Sequence, residues 1–267
     1  MTLRYGAVAA SISALRGKPA VPAVEPTHPA VRYRAHRRGI PPLADIYLPV
    51  RTSGASVVLV HGGGFVIGSR RMKPMRYLAA HLAGAGIAVC AVDYRLIFRG
   101  GRLDEALDDV HAAFAFWSRS VARIGLDARA ISLVGLSAGG TLALLAAARL
   151  GSAVARVVCG FGLYDVEHLR GPAALFPRLL FRSDDRVSWS ARCPRFAAQP
   201  TASTLLLHGS ADALVPVDQA RRLAAHRESL GLPTRLVVYE GAPHGFFNYQ
   251  IPAAEQGVRE ILEHVRV

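Results

Sequence analysis

The chain has 267 residues, 51% of them hydrophobic, and carries a formal net charge of +13. That length supports one large hydrophobic core or at most two small ones. The composition excludes a disordered chain, and no apolar run approaches the roughly 18–20 residues needed to span a membrane.

The N-terminal stretch MTLRYGAVAASISALRGK imitates a secretory signal, with Arg4 ahead of a short apolar run. Ser11 and Ser13 interrupt that run and no convincing cleavage site follows, so the segment reads as an ordered helix or arm over the domain. Strands are predicted over 30–37 and 43–48, too close together for a helix between them, and hence paired antiparallel. From residue 56 onward strand and helix alternate. Strands fall at 56–61, 87–92, 130–135, 155–161, 203–208 and 234–240; helices fall at 72–84, 103–122, 138–150, 217–230 and 253–265. Such alternation predicts an α/β fold, a mainly parallel eight-stranded sheet with helices on both faces. The rhythm breaks over 163–200, which holds Pro172, Pro177 and Pro194 and the apolar segment ALFPRLLF at 174–181. A long insertion between sheet strands is usually functional. The expectation is a single domain over 1–267, with a small cap built from 1–29 and 163–200.

Only Lys18 and Lys73 among the 32 basic residues are lysine, and the arginines are scattered. This usage resembles a compositional bias of the host genome more than a nucleic-acid face, so no nucleic-acid partner is expected. Cys90 and Cys159 sit in strand-like apolar runs, where a thiol behaves as a small hydrophobe. With Cys193 they make no disulfide framework, and no Cys or His pair has metal-ligand spacing. A reduced, cytoplasmic protein without metal or cofactor is expected. The oligomeric state stays open, a homodimer among the options.

The segment ISLVGLSAGG at 131–140 passes from a strand into a helix and contains G-x-S-x-G centred on Ser137. A serine on a sharp strand-to-helix turn needs glycines two before and two after it, because side chains there would strike the flanking segments. The helix N-terminus behind it directs N–H groups and partial positive charge at the reacting centre. A serine hydroxyl needs a base, and the base needs an orienting carboxylate. Asp212 follows the seventh predicted strand and His244 the eighth, both at the sheet edge where Ser137 sits and where open α/β sheets bind ligands. Three consecutive glycines in VHGGGF, at 60–65, leave the third strand. Attack by a serine generates an oxyanion that needs preorganised N–H donors, one from Ala138 and the rest from a loop whose backbone can come close.

The ordered set HGGGF, GLSAGG, HGSADALVP and APHGF resembles an α/β-hydrolase of the hormone-sensitive-lipase-like carboxylesterase group over residues 30–265. The resemblance implies Ser137 as nucleophile, His244 as base, Asp212 as orienting acid, and an oxyanion hole from Gly63, Gly64 and Ala138. Asp93-Tyr94-Arg95 is similar to the D-Y-R of that group, where it is structural. Two departures stand out: Leu136 occupies a position often acidic in the group, and the N-terminal portion is short. The implied activity is a serine carboxylesterase acting through an acyl-enzyme on small to medium uncharged esters. The alternatives are an amide hydrolase (arylformamidase or peptidase) with the same triad, or a non-catalytic ligand-binding member of the fold. Phe65, Leu175, Phe176, Leu179, Leu180, Phe181 and Phe246 are expected to line the substrate pocket, with Arg178 and Arg182 facing solvent. Asp165 is expected to be structural, His61 to brace the glycine loop, and His208 to be a hydrogen-bonded core histidine.

Overall fold

A computed structural model of the protein describes residues 24–35, 39–166 and 175–266. Two antiparallel strands, β1 (His28–Arg32) and β2 (Leu43–Tyr47), lead into β3 (Ser56–Val60), β4 (Ala88–Val92), β5 (Ile131–Leu136), β6 (Arg156–Gly160), β7 (Ser203–Gly209) and β8 (Thr234–Tyr239). They form one eight-stranded sheet in the order β1-β2-β4-β3-β5-β6-β7-β8. β1 with β2 and β2 with β4 pair antiparallel, and every later pair is parallel. The helices are α1 (Lys73–Gly84), α2 (Leu103–Arg123), α3 (Ala138–Leu150), α4 (Leu175–Phe181), α5 (Arg186–Arg192), α6 (Asp218–Ser229) and α7 (Pro252–Val265).

Strand residues alternate between two core layers, as side chains on a pleated strand must. Val58, Val60, Cys90, Val92, Leu133 and Val157 enter a layer with the apolar faces of α2, α3 and α6. Their neighbours Val57, Leu59, Val89, Ala91, Val134 and Val158 enter the opposite layer with α1 and α7. Every residue of β3, β4 and β5 is buried, which accounts for their continuous apolar runs.

Expected and observed elements agree to within a few residues, apart from the connector. The first strand runs over His28–Arg32 rather than 30–37: residues 33–35 are not in the strand and 36–37 lie outside the described residues, as do 1–23 and 167–174 of the expected cap and arm. The insertion 163–200, expected to build part of a small cap and given no helix of its own, forms α4 and α5. Asp185 starts α5 by accepting from Val187 N and Ser188 N, both at 3.0 Å. The periodicity is invisible in sequence because each helix is only seven residues long.

One buried ion cluster ties the segment after β3 to the sheet. Arg70 is nearly inaccessible; its Nε lies 2.8 Å from Asp45 Oδ1 on β2, and its Nη1 pairs with Asp93 Oδ2 just past β4. Its backbone N–H also donates to Asp93 Oδ1 at 2.7 Å. Burial works against ionised Asp45, but the Ala30 N–H and the Arg70 guanidinium outweigh it and hold its carboxyl below the usual range. Removing one partner of such a cluster strands the others in low dielectric. We expect Arg70→Met to lower unfolding free energy by about 3–5 kcal/mol, read from urea denaturation. A loss below about 1 kcal/mol would remove the cluster from the account of the fold.

Candidate active site

The site forms where β3 and β5, adjacent in the sheet, release their chains at the same edge. Parallel pairing sets Val60 opposite Gly135, so the glycine loop and the serine turn emerge side by side. Ser137 has φ 52° and ψ −120° and stands immediately before α3. Its N–H donates to Gly160 O at 2.7 Å, and its carbonyl accepts from Gly140 N at 2.9 Å and Thr141 N at 3.2 Å. The glycines around it leave no room for side chains. A Cβ on Gly135 would stand 2.0 Å from Gly139 O, one on Gly139 2.2 Å from Val60 O, and one on Gly62 3.0 Å from Ser137 Cβ.

The structure brings Ser137, His244 and Asp212 together from three strand ends. His244 Nε2 lies 3.2 Å from Ser137 Oγ, and His244 Nδ1 lies 2.7 Å from Asp212 Oδ2. A carboxylate only accepts, so the proton belongs on Nδ1, and Nε2 is left able to accept the serine hydroxyl proton. Asp212 is fully buried at its side chain. Burial pushes its carboxyl up, yet hydrogen bonds from His208, His244 and Val215 N, with the charge of His244, overcome this and hold it at about 2. Asp212 Oδ1 also accepts from Leu214 N at 2.9 Å and Val215 N at 2.7 Å. The arrangement can take a proton from a hydroxyl and hold the resulting imidazolium against a fixed negative charge.

The glycine loop is oriented by its own carbonyls. His61 Nδ1 lies 2.7 Å from Gly62 O, and Gly63 O accepts from Val66 N and Ile67 N, each at 3.1 Å. All peptides among the described residues are trans, so the N–H of Gly63 and the N–H of Gly64 point opposite to these engaged carbonyls. His61 braces the loop in the expected way. It is buried, stacks on Tyr94 at 4.2 Å between ring centroids, and its carbonyl accepts from Tyr94 Oη at 3.0 Å. Burial lowers the pKa of its imidazole, the Gly62 carbonyl opposing.

The expected pocket residues separate into three groups. Phe65 is buried at φ 62°, and its ring lies 6.0 Å from that of half-buried Phe176. Leu180 and Phe181 sit within the core layer of α2 and α3, whereas Leu175 and Leu179 are exposed at 55% and 40%. Phe246 is buried among Phe161, Tyr239 and Phe247 in the other layer. Arg178 and Arg182 face solvent as expected, paired with Asp184 at 3.2 Å and Glu105 at 3.1 Å. Asp165 is buried and paired with Arg195 at 2.9 Å. Two contributors escaped the sequence reading. Phe161 packs its ring edge-on against His244 at 5.0 Å, and Arg70 anchors the far end of the glycine loop. Neither belongs to a local motif; only the adjacency of β6 and β4 to the site reveals them. Among the described residues no cluster of His, Cys, Asp and Glu is arranged to hold a metal.

Gly63 and Gly64 differ in a way that sequence hides. Gly63 has φ 111°, and its Cβ would stand 1.9 Å from Ile67 O; Gly64 has φ 61°, and its Cβ would meet nothing within 4 Å. We expect Gly63→Ala to displace the loop and lower the melting temperature sharply. Gly64→Ala should cost only the left-handed backbone strain, about 1 kcal/mol. Equal melting temperatures for the two variants would contradict this geometry.

A family model for the alpha/beta hydrolase fold matches residues 57–248. The ethyl acetate hydrolase of Pseudomonas putida is 29% identical over 233 residues, covering 79% of this chain and 72% of that protein. The isoprenylcysteine alpha-carbonyl methylesterase of Arabidopsis thaliana is 26% identical over 228 residues, covering 75% of this chain and 53% of that protein, so the chain spans about half the length of this plant relative. Among solved structures, an esterase of Pyrobaculum calidifontis superposes with a TM-score of 0.73 at 24% identity, over 100% of this chain and 93% of that one, a likeness of fold. With the family match covering most of the chain, the protein belongs to the alpha/beta hydrolase fold family, in its hormone-sensitive-lipase-like carboxylesterase group.

Proposed function

We propose that the protein is a serine carboxylesterase that cleaves small to medium uncharged esters through an acyl-enzyme. Ester hydrolysis in general follows from the group; the serine mechanism and the substrate size are our reading. The observation that carries it is the unbroken line of contacts from Ser137 Oγ through His244 to Asp212, at 3.2 and 2.7 Å. Ser137 Oγ attacks the ester carbonyl carbon while His244 Nε2 takes its proton. The carbonyl π electrons move to oxygen, and the N–H groups of Ala138, Gly63 and Gly64 receive that oxyanion. When the tetrahedral centre collapses, His244 returns the proton to the departing alcohol. Water then repeats the sequence on the acyl-enzyme, freeing a carboxylic acid and restoring Ser137.

Phe65 and Phe176, with α4 as part of a cap over the sheet edge, are read as the acyl side of the site. Their rings are near neighbours, and Phe65 follows directly on the glycine loop. The cytoplasmic reading rests on three buried cysteines, none in a disulfide. No helix among the described residues is long and apolar enough to cross a membrane.

The decisive test is a panel of p-nitrophenyl esters from acetate to palmitate with formanilide beside them, and a fluorophosphonate label located by mass spectrometry. Short esters should turn over and Ser137 should carry the label. Ser137→Ala should lose both with its circular dichroism unchanged. Full activity in that variant sinks the serine mechanism, and formanilide cleaved faster than any ester sinks the ester preference. Phe176→Ala should favour acyl chains one or two carbons longer, because a methylene is worth about 1–3 kcal/mol in such a pocket. An unchanged chain-length profile removes Phe176 from the acyl side.

A further inference from the structure

Asp212 Oδ2, the oxygen that receives His244 Nδ1, has a second imidazole against it. His208 is the penultimate residue of β7, paired with Val238 of β8, and its side chain is wholly inaccessible. Its Nε2 lies 3.2 Å from Asp212 Oδ2 and 2.8 Å from Val215 O. Both neighbours are acceptors, so Nε2 must carry the hydrogen that faces them. His208 Nδ1 is buried with no hydrogen-bond partner among the described residues, which disfavours a proton there.

These contacts tie the turn after β7 together from within. Asp212 Oδ1 gathers Leu214 N and Val215 N, while the carbonyl of the same Val215 is held by His208. One imidazole on a strand paired on both sides, with β6 and β8, therefore grips both the carboxylate and the backbone that folds around it. Rotation of the Asp212 carboxyl away from His244 would break the contact with His208 as well. A core histidine serving packing alone has no need to meet this particular oxygen.

We infer that His208 is a positioning residue that, as the Nε2–H tautomer, fixes Asp212 Oδ2 where His244 Nδ1 receives it. The inference rests on the reading of Ser137, His244 and Asp212 as a catalytic set. It makes the group orienting the base a pair, a carboxylate and the imidazole that holds it. Loss of the donor should lower kcat without changing how the ester is bound, because His208 touches neither Ser137 nor the expected acyl side.

The test compares wild type, His208→Leu and His208→Gln on p-nitrophenyl butyrate, with fluorophosphonate labelling of each. Leucine keeps apolar volume and offers no donor, whereas glutamine brings an amide N–H close to the position of the imidazole Nε2. We expect His208→Leu to lose about 10- to 100-fold in kcat with KM within about twofold, less than the roughly 10⁴-fold loss when the acid itself is replaced. His208→Gln should recover most of that loss. Wild-type kcat in His208→Leu, a raised KM with kcat intact, or a glutamine variant as slow as leucine overturns the inference. Should both variants fail to fold, ¹⁵N-edited imidazole spectra of the wild-type protein decide it: an Nε2–H tautomer at His208 sustains the inference and an Nδ1–H tautomer overturns it. If wild-type Ser137 takes no label, the serine reading itself falls; labelled Ser137 with unaffected His208 variants sinks only the role given to His208.

Discussion

Three stretches of backbone converge on Ser137 more closely than any side chain allows. The end of β3, the end of β5 and the first turn of α3 meet so tightly that a single methyl group on Gly135 or Gly139 would overlap a carbonyl oxygen. The constraint originates in the sheet. β5 lies directly beside β3, and α3 must begin within one residue of β5 to pack back over it. Ser137 absorbs the sharp change in direction at a positive φ that a non-glycine residue seldom adopts. Backbone strain of this kind persists only where the surroundings over-determine it. Here the N–H of Ser137 is held by β6 and its carbonyl by α3. The hydroxyl is raised into the open because everything behind it is too close for another choice.

The second requirement is that the glycine loop keep one shape, and buried charge supplies it. Asp93, Tyr94 and Arg95 follow β4 in succession, the first two reaching the two ends of the glycine loop and the third reaching α2. Asp93 holds Arg70 at the far end of the loop, Tyr94 stacks on His61 at its near end, and Arg95 binds Asp109 on α2 with Nε at 2.9 Å. Asp109 also takes Arg34, which draws the segment after β1 into the same network. Arginine suits these places because its planar fork reaches two acceptors at once and it stays charged when buried. Arg34, Arg70 and Arg95 are thus engaged with Asp45, Asp93 and Asp109 inside the fold. A surface reading of the net charge alone would overlook this use.

The elements and their order were legible in the sequence because each relies on local pattern. Apolar runs of strand length, amphipathic spacing over ten or more residues, and glycines at the turns all act within a few neighbours. Ser137, Asp212 and His244 were legible for a related reason: each follows a strand at one sheet edge, and the chain order repeats a known pattern. α4 and α5 were not legible, being too short to display a period and formed against α2 and each other. The division of the apolar segment 174–181 was hidden as well. Leu180 and Phe181 turn into the core while Leu175 and Leu179 stay exposed, and only the direction of the helix axis over α2 selects which.

By itself, then, the sequence determined the strand and helix succession, the glycine positions and which three residues the proposal reads as a catalytic set. What tertiary structure alone decided is which groups meet across long separations. Ser137 and His244 are 107 residues apart, Arg70 joins β2 to the end of β4, and Phe161 comes to rest against His244. The two glycines of the loop look equivalent in sequence, yet one Cβ would collide with Ile67 and the other would meet empty space. His208 read as an ordinary core histidine until the turn after β7 set its Nε2 against Asp212. Local pattern encodes backbone conformation, which depends on near neighbours; side-chain meeting points depend on strand order and register, which belong to the whole chain at once.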